Sequence, residues 1–483
     1  MRHNSLPPMQ RAPSQSTARA RSPQRTLGSV AESSALTAVP LVADAALSFY
    51  HGDYGNQPTV RNALTIRSMR VLLASAFQCV ILAGISSAQD FRVSVSVSPF
   101  TEIVLRTGAR FTDGTVTATT AADLQRLFVR HGANEIYARM STRQHMLSGG
   151  GNHGMDLGLA RARMAAELRL PFNPELGLFA TYGDIRCQPS PDFSDYVIGL
   201  PGPWESLTLD QMLVALRTYG AAAAKQIADT RAVVGIWDLG NEVEFGVAGV
   251  AVQPMPGGCG APSSAASDYR PPDRVDPAIG TMSALALVQM DVRHRIEWLS
   301  THLWPHEARM FAAVAAGIRS VDPTARFSTH VSGIASTQPE FAAAFFVAMK
   351  TGGFLVDEAG VSYYPTSSSS PPDRLQAFKN MAVAVQRAIG KPVFVAEFGY
   401  PSDRMSGIFS FNSAVSGYPQ SAEGQARFIR DLVAWGKSSA VLSGIRPWAP
   451  DLAMPGWGPM SLFERNGAVL SARPSLDAFV PRR

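Results

Sequence analysis

The chain has 483 residues and a formal charge of +5, from 43 basic and 38 acidic side chains. With 46% hydrophobic and 17% charged residues, most of it can bury a core, which excludes wholesale disorder. The charge is uneven: residues 1–68 carry seven arginines against three acidic residues, Arg70 adds one more, and from Gln89 onward 35 basic residues meet 35 acidic ones, so the folded part is not a nucleic-acid binder by charge.

Residues 1–68, rich in Pro, Ser, Arg and Gln, read as a disordered extension or a mis-assigned start. Met69-Arg70 then precedes an apolar stretch from Val71 to Ile85 and the small residues Ser86-Ser87-Ala88. That is the layout of a secretory signal peptide over 69–88. The stretch is shorter than the roughly 20 residues of a membrane span. The expectation is a secreted or periplasmic protein cut near Ala88, with no stable membrane anchor. Cys79 lacks the spacing of a lipoprotein box. Cys187 and Cys259 then remain, either as one disulfide or as two buried thiols.

From residue 90 short β-rich runs alternate with amphipathic stretches. The runs are 92–97, 135–140, 176–182, 233–242, 325–330, 358–364, 392–398 and 441–448. Helical spacing with plausible caps marks 120–132, 207–227, 302–320, 373–389 and 421–436. Eight strand-then-helix units predict an α/β fold, a single-domain (β/α)8 barrel over 89–483. A doubly wound sheet would want a glycine-rich turn after the first strand, and "SVSPFTE" is not one. A long Pro, Gly and Ser-rich insertion, 251–290, follows the fourth run.

In such barrels the chemistry sits where the strands end. The fourth run ends in Asn241-Glu242 and the seventh in Glu397. The second ends near Arg139, the third near Tyr182 and Asp184, the sixth in Tyr363-Tyr364 and the eighth in Trp448. Two carboxylates, an amide, an arginine and several aromatics on one face form the inventory of glycoside hydrolysis. Singly, each has a plainer reading as a turn, an ion-pair partner or a core aromatic. Glu397 is the least ordinary, because it closes the apolar run "PVFVAEF", where a carboxylate is costly unless paired or functional. Gly149-Gly150-Gly151 lacks the ending of a phosphate loop. His302 and His306 lack the glutamate of a helical zinc motif.

Several segments carry a resemblance to glycoside hydrolase family 53, the endo-β-1,4-galactanases, over roughly 90–480. They are "GARFTDG", "LQRLFVRHGANEIYARM", "PGPWESLTLDQM" around Trp204, "GNEVEFG", "VSYYP", "VFVAEFGYP", "YPQSAEGQARFIRDL" and "GIRPWAP". The resemblance implies a retaining enzyme with Glu242 as general acid/base and Glu397 as nucleophile. It implies that Asn241 binds the sugar 2-hydroxyl, that Arg139 supports Glu397, that Tyr364 or Tyr363 touches the nucleophile, and that Trp448 floors the −1 subsite. The polysaccharide is then the one partner, galactan first, with no cofactor, no metal and a monomeric state expected.

The sequence departs from the family at Thr181-Tyr182-Gly183-Asp184, where His-Tyr-Ser-Asp is usual, at "CQPSPDFSDY", and at Met140 or Ser141, where a Trp is usual. Those positions shape subsites, so a mannan, xylan or β-glucan stays open as substrate. An inactive carbohydrate-binding barrel is the alternative from another class. Cys187 and Cys259 follow the third and fourth strands, whose loops are neighbours in a barrel, so a disulfide between them is expected to tether the insertion beside the cleft.

Overall fold

A computed structural model describes residues 91–148, 151–256, 269–367, 373–407 and 411–480. The N-terminal extension, the stretch 69–88 expected to be a signal peptide, and Cys259 lie outside the described residues. Eight parallel strands form one sheet: β1 (Arg92–Val93), β2 (Ile136–Met140), β3 (Phe172–Leu176), β4 (Trp237–Leu239), β5 (Phe327–Val331), β6 (Glu358–Tyr363), β7 (Val393–Phe398) and β8 (Leu442–Pro447). Each pairs with its sequence neighbour from β2 to β8, and β8 pairs back onto β1 at Arg92↔Gly444 and Val93↔Ile445. Between β1 and β2 the ring is closed by the Asn134 amide donating to the Val93 carbonyl at 3.0 Å, and by the Tyr137 amide donating to Ser96 Oγ at 2.8 Å. The result is a TIM barrel.

Seven barrel helices separate the strands: α1 (Ala121–Arg130), α2 (Met155–Leu168), α3 (Leu209–Ala228), α4 (Trp304–Arg319), α5 (Pro339–Thr351), α6 (Arg374–Ile389) and α7 (Ala422–Ser439). Their starts are written in the sequence. Thr120 accepts from the Asp123 amide, Thr208 and Gln211 form a reciprocal capping box, and Ser421 accepts from the Gly424 amide. After β8 a short helical turn, Pro474–Asp477, stands where an eighth helix would follow. The crossing of α3 and α4 depends on glycine. A Cβ added to Gly317 would lie 2.0 Å from the Arg217 carbonyl oxygen, and one on Gly220 would lie 2.4 Å from that of Val314.

Three expectations need correcting. The third strand is Phe172–Leu176, not 176–182, which is the loop that follows it. Pro174 disguises the strand, since proline cannot donate to a ladder. All five residues are nevertheless buried and in register with β2, Ala138 opposite Pro174. The sequence spacing does not mark helices α2 and α5. "MDLGLARARMAAEL" and "PEFAAAFFVAMKT" show no clear apolar face, and α5 is apolar nearly all round. The insertion is not loop throughout. A hairpin, Gly246–Val247 against Val250–Ala251, leads into it, and it carries the short helices Pro277–Thr281 and Ala284–Gln289. The Met255 amide donates to the Arg186 carbonyl at 2.8 Å, holding the start of the insertion against the loop after β3.

The barrel interior is polar along its axis. Arg446 of β8 is fully buried and donates to Asn173 Oδ1 at 2.9 Å, Glu175 Oε2 at 3.2 Å and Asp238 Oδ2 at 3.0 Å, with its guanidinium 3.7 Å from the Tyr137 ring centroid. A buried guanidinium with two carboxylates and an amide around it is satisfied, and losing one partner would strand the others.

Candidate active site

Glu397, near the end of β7, is 5% exposed. Its Oε1 pairs with Arg139 Nη2 and its Oε2 accepts from the Tyr364 hydroxyl at 2.7 Å. Burial alone would raise this carboxyl. The Arg139 guanidinium, His330 and the Tyr364 hydroxyl outweigh burial and hold it below the usual carboxylate range. Arg139 is itself buried, paired through Nε with Glu175 and donating through Nη1 to the Tyr182 hydroxyl at 3.2 Å. Glu175 thus bridges Arg139 above and Arg446 below, and both guanidiniums keep fixed orientations.

Glu242 follows β4 in a different setting. Its backbone is left-handed, φ +50°, which a non-glycine residue adopts only at a cost of order 1 kcal/mol or more. Such strain is tolerated where the surroundings over-determine it. Here the Gly240 amide donates to the Leu176 carbonyl at 2.8 Å and the Val243 amide to the His330 carbonyl at 3.1 Å, pinning the turn from both sides. No cation pairs with the Glu242 carboxylate among the described residues. Burial, the negative charge of Glu397 and then that of Asp184 push it well above the usual carboxylate range, with the Ser362 hydroxyl acting weakly the other way.

The remaining predicted residues separate into two groups. Tyr182, Asp184 and Tyr364 gather with the two glutamates, and Trp448 lines a small cavity with Arg139. Tyr182 and Asp184 lie on the loop after β3 rather than at a strand end, and Asp184 is paired with Arg186 at 2.8 Å. Trp448, half-buried, meets Trp457 edge-on at 4.7 Å and Phe100 at 5.9 Å. Asn241 is fully buried. Its Nδ2 donates to the Gly183 carbonyl at 2.7 Å and its Oδ1 meets His330 Nε2 at 2.8 Å, which leaves one amide hydrogen for any other partner.

Tyr363 is the correction. It is fully buried, stacked on Phe378 at 4.1 Å, and its hydroxyl donates to the Arg374 carbonyl at 3.1 Å. Side chains alternate along a strand, so of two adjacent tyrosines one faces the helices and the other the cleft. Cys187 is disulfide-bonded, while Cys259, its expected partner, lies outside the described residues.

Sequence reasoning missed Glu175 and His330, which orient the two predicted centres. The polar alternation Asn173, Glu175 inside "FNPEL" was the available signal for the first, and the strand-ending "STH" for the second. Glu175, Asp238 and His330 also bring two oxygens and a nitrogen within 4.8 Å of one another. Arg446 donates to both carboxylates, so a guanidinium already supplies the positive charge there.

Residues 278–477 match the family model described as glycosyl hydrolase family 53. The match spans the half of the barrel that holds Tyr364, Glu397 and Trp448. No curated protein sequence matches the chain. Among solved structures, the chain is similar to the GH53 catalytic domain of Ignisphaera aggregans, with TM-score 0.58 and 19% identity over 82% of this chain and 97% of that one. It is also similar to a structure from a study of two fungal β-1,4-galactanases, with TM-score 0.57 and 18% identity over 80% of this chain and 99% of the other. At such identities these likenesses show the fold. With the family-model match, they bear out the resemblance to family 53 read from the sequence.

Proposed function

We propose that this chain, which resembles glycosyl hydrolase family 53, is a retaining glycoside hydrolase acting on β-1,4-galactan. The observation that carries the reading is the opposite electrostatic setting of two carboxylates at one end of the barrel. Glu397, held ionised by Arg139 and Tyr364, attacks the anomeric carbon. Glu242, kept protonated by burial and by the charge of Glu397, gives its proton to the leaving glycosidic oxygen. In the second step Glu242 takes a proton from water, which displaces Glu397 and restores both groups. This scheme requires the two carboxyls about 5–5.5 Å apart. Tyr182 and Asp184 would border the sugar opposite Trp448, and the free amide hydrogen of Asn241 would meet its 2-hydroxyl.

Residues 69–88 would act as signal peptide and 89–483 as the secreted domain. Among the described residues no helix is long and apolar enough to cross a membrane. The test is reducing-sugar release from β-1,4-galactan beside mannan, xylan and β-glucan. Turnover on galactan that Glu242→Ala lowers by about 10²–10⁴-fold supports the reading. No turnover on any of the four counts against it. The loop Thr181-Tyr182-Gly183-Asp184, which departs from the family pattern, favours a second reading in which another of these β-glycans is the substrate.

A further inference from the structure

Behind Arg139 and Trp448 lies a cavity of about 30 Å³ between the ends of β1, β2 and β8 and the start of α2. Three of its lining side chains are buried polar groups left without hydrogen-bond partners. They are Ser94 Oγ (0% exposed), His153 Nδ1 (2%) and Arg161 Nε (3%). Arg161 has a loose pair with Glu102, at 3.5 Å, and Asp451 acts on it only at a distance. A buried guanidinium in that state is costly, and so is an unpartnered hydroxyl or imidazole. Burial, reinforced by Arg139, pushes His153 down to about 3, so its ring is neutral and one nitrogen carries a hydrogen to donate. No carboxylate lines the cavity. Its three unpartnered side chains are one cation and two neutral groups able to donate, and the paired Arg139 adds a second guanidinium to the lining, so it is complementary to an anion.

The volume is room for roughly two waters, and the two oxygens of a carboxylate could stand in their places. The cavity shares Arg139 with the nucleophile and Trp448 with the cleft. We propose that it is a subsite for a sugar carboxylate, so that a uronate unit of a β-glycan seats its acid group against Ser94, His153 and Arg161. This deepens the glycosidase reading and rests on it. The near-zero charge of residues 89–483 hides such a preference, because buried arginines in a donor-lined cavity select an anion whatever the net charge.

The test is a titration of the full chain with glucuronate, galacturonate, glucose, galactose and acetate, read by tryptophan fluorescence and ligand-observed NMR. Both uronates are expected to bind at least about tenfold more tightly than the neutral sugars, as a charge-assisted hydrogen bond implies. Arg161→Met should remove that advantage. Ser94→Ala, too small a change to unfold the barrel, should weaken uronate binding by a few-fold while leaving neutral sugars unaffected. Equal binding of uronates and neutral sugars overturns the proposal. So does uronate binding that Ser94→Ala leaves unchanged, or acetate binding as tight as uronate binding, which would mark a non-specific anion cavity. Turnover of neutral glycans without uronate preference sinks this inference alone. Uronate preference without turnover on any glycan sinks the glycosidase reading instead.

Discussion

The two sides of the cleft hold the same functional group in opposite states. On the β7 side, Glu397 is surrounded by donors: Arg139, anchored by Glu175, and the Tyr364 hydroxyl. On the β4 side, Glu242 has no paired cation among the described residues, a strained backbone and three negative neighbours, Glu397, Asp184 and Glu244. Both carboxyls are drawn away from water, which by itself raises each of them. The difference is Arg139. One buried guanidinium, paired with one carboxyl and not with the other, splits two identical groups into one held ionised and one held protonated.

The largest expected effect comes from deleting the ionised side. Glu397→Ala should lower turnover by about 10⁴-fold or more, since the proposed mechanism has Glu397 attack the anomeric carbon. Loss of less than tenfold in a steady-state assay on a cleaved glycan would break the assignment. Arg139→Met should come next, because it leaves the buried Glu397 with the Tyr364 hydroxyl and no paired cation, while Glu175 keeps Arg446 and Tyr137. Removing one partner of a buried pair costs about 3–5 kcal/mol, readable in a urea melt.

In the same variant the sign of the pH effect is fixed. The proposed mechanism needs Glu397 ionised, and without Arg139 burial dominates and its carboxyl titrates higher. The acid limb of kcat/KM should therefore move to higher pH, while the basic limb, set by Glu242, keeps its place. An acid limb that stays put would show that Arg139 does not set the ionisation of Glu397.

Tyr364→Phe should do the same more weakly, with turnover down about tenfold, the scale of one hydrogen bond to a charged group. Its neighbour supplies the control. Tyr363→Phe removes a hydroxyl that bonds the Arg374 carbonyl in the core, so it should cost about 1 kcal/mol of stability and leave turnover per folded molecule unchanged. If the two substitutions changed turnover equally, the placing of Tyr364 alone at the nucleophile would be wrong.

Tyr363 and Tyr364 also mark how far the sequence could be read. That a tyrosine near the end of the sixth strand serves the site was legible from the strand-helix rhythm. Which of the two does so depends on a one-residue register, and alternation alone assigns opposite faces without naming them. Strand β3 failed for a local reason, since Pro174 suppresses the strand pattern and moved the reading on to the loop. With β3 misplaced, Glu175 went unnoticed, and with it the link between Arg139 and Arg446. The buried pocket of Ser94, His153 and Arg161 had no sequence signal, because its members come from three separate segments.

By itself the sequence determined most of the strand-helix succession, the caps of α1, α3 and α7, and the placing of Glu242, Glu397, Arg139 and Trp448 at or just beyond strand ends. These follow from periodicity, capping chemistry and chain order, which are local properties. Only the tertiary structure decided which carboxylate meets a guanidinium, which tyrosine faces the cleft, and which buried polar groups share a cavity. Those outcomes depend on distances between residues far apart in the chain, such as the 258 positions separating Arg139 from Glu397, and closing the barrel is what makes them neighbours.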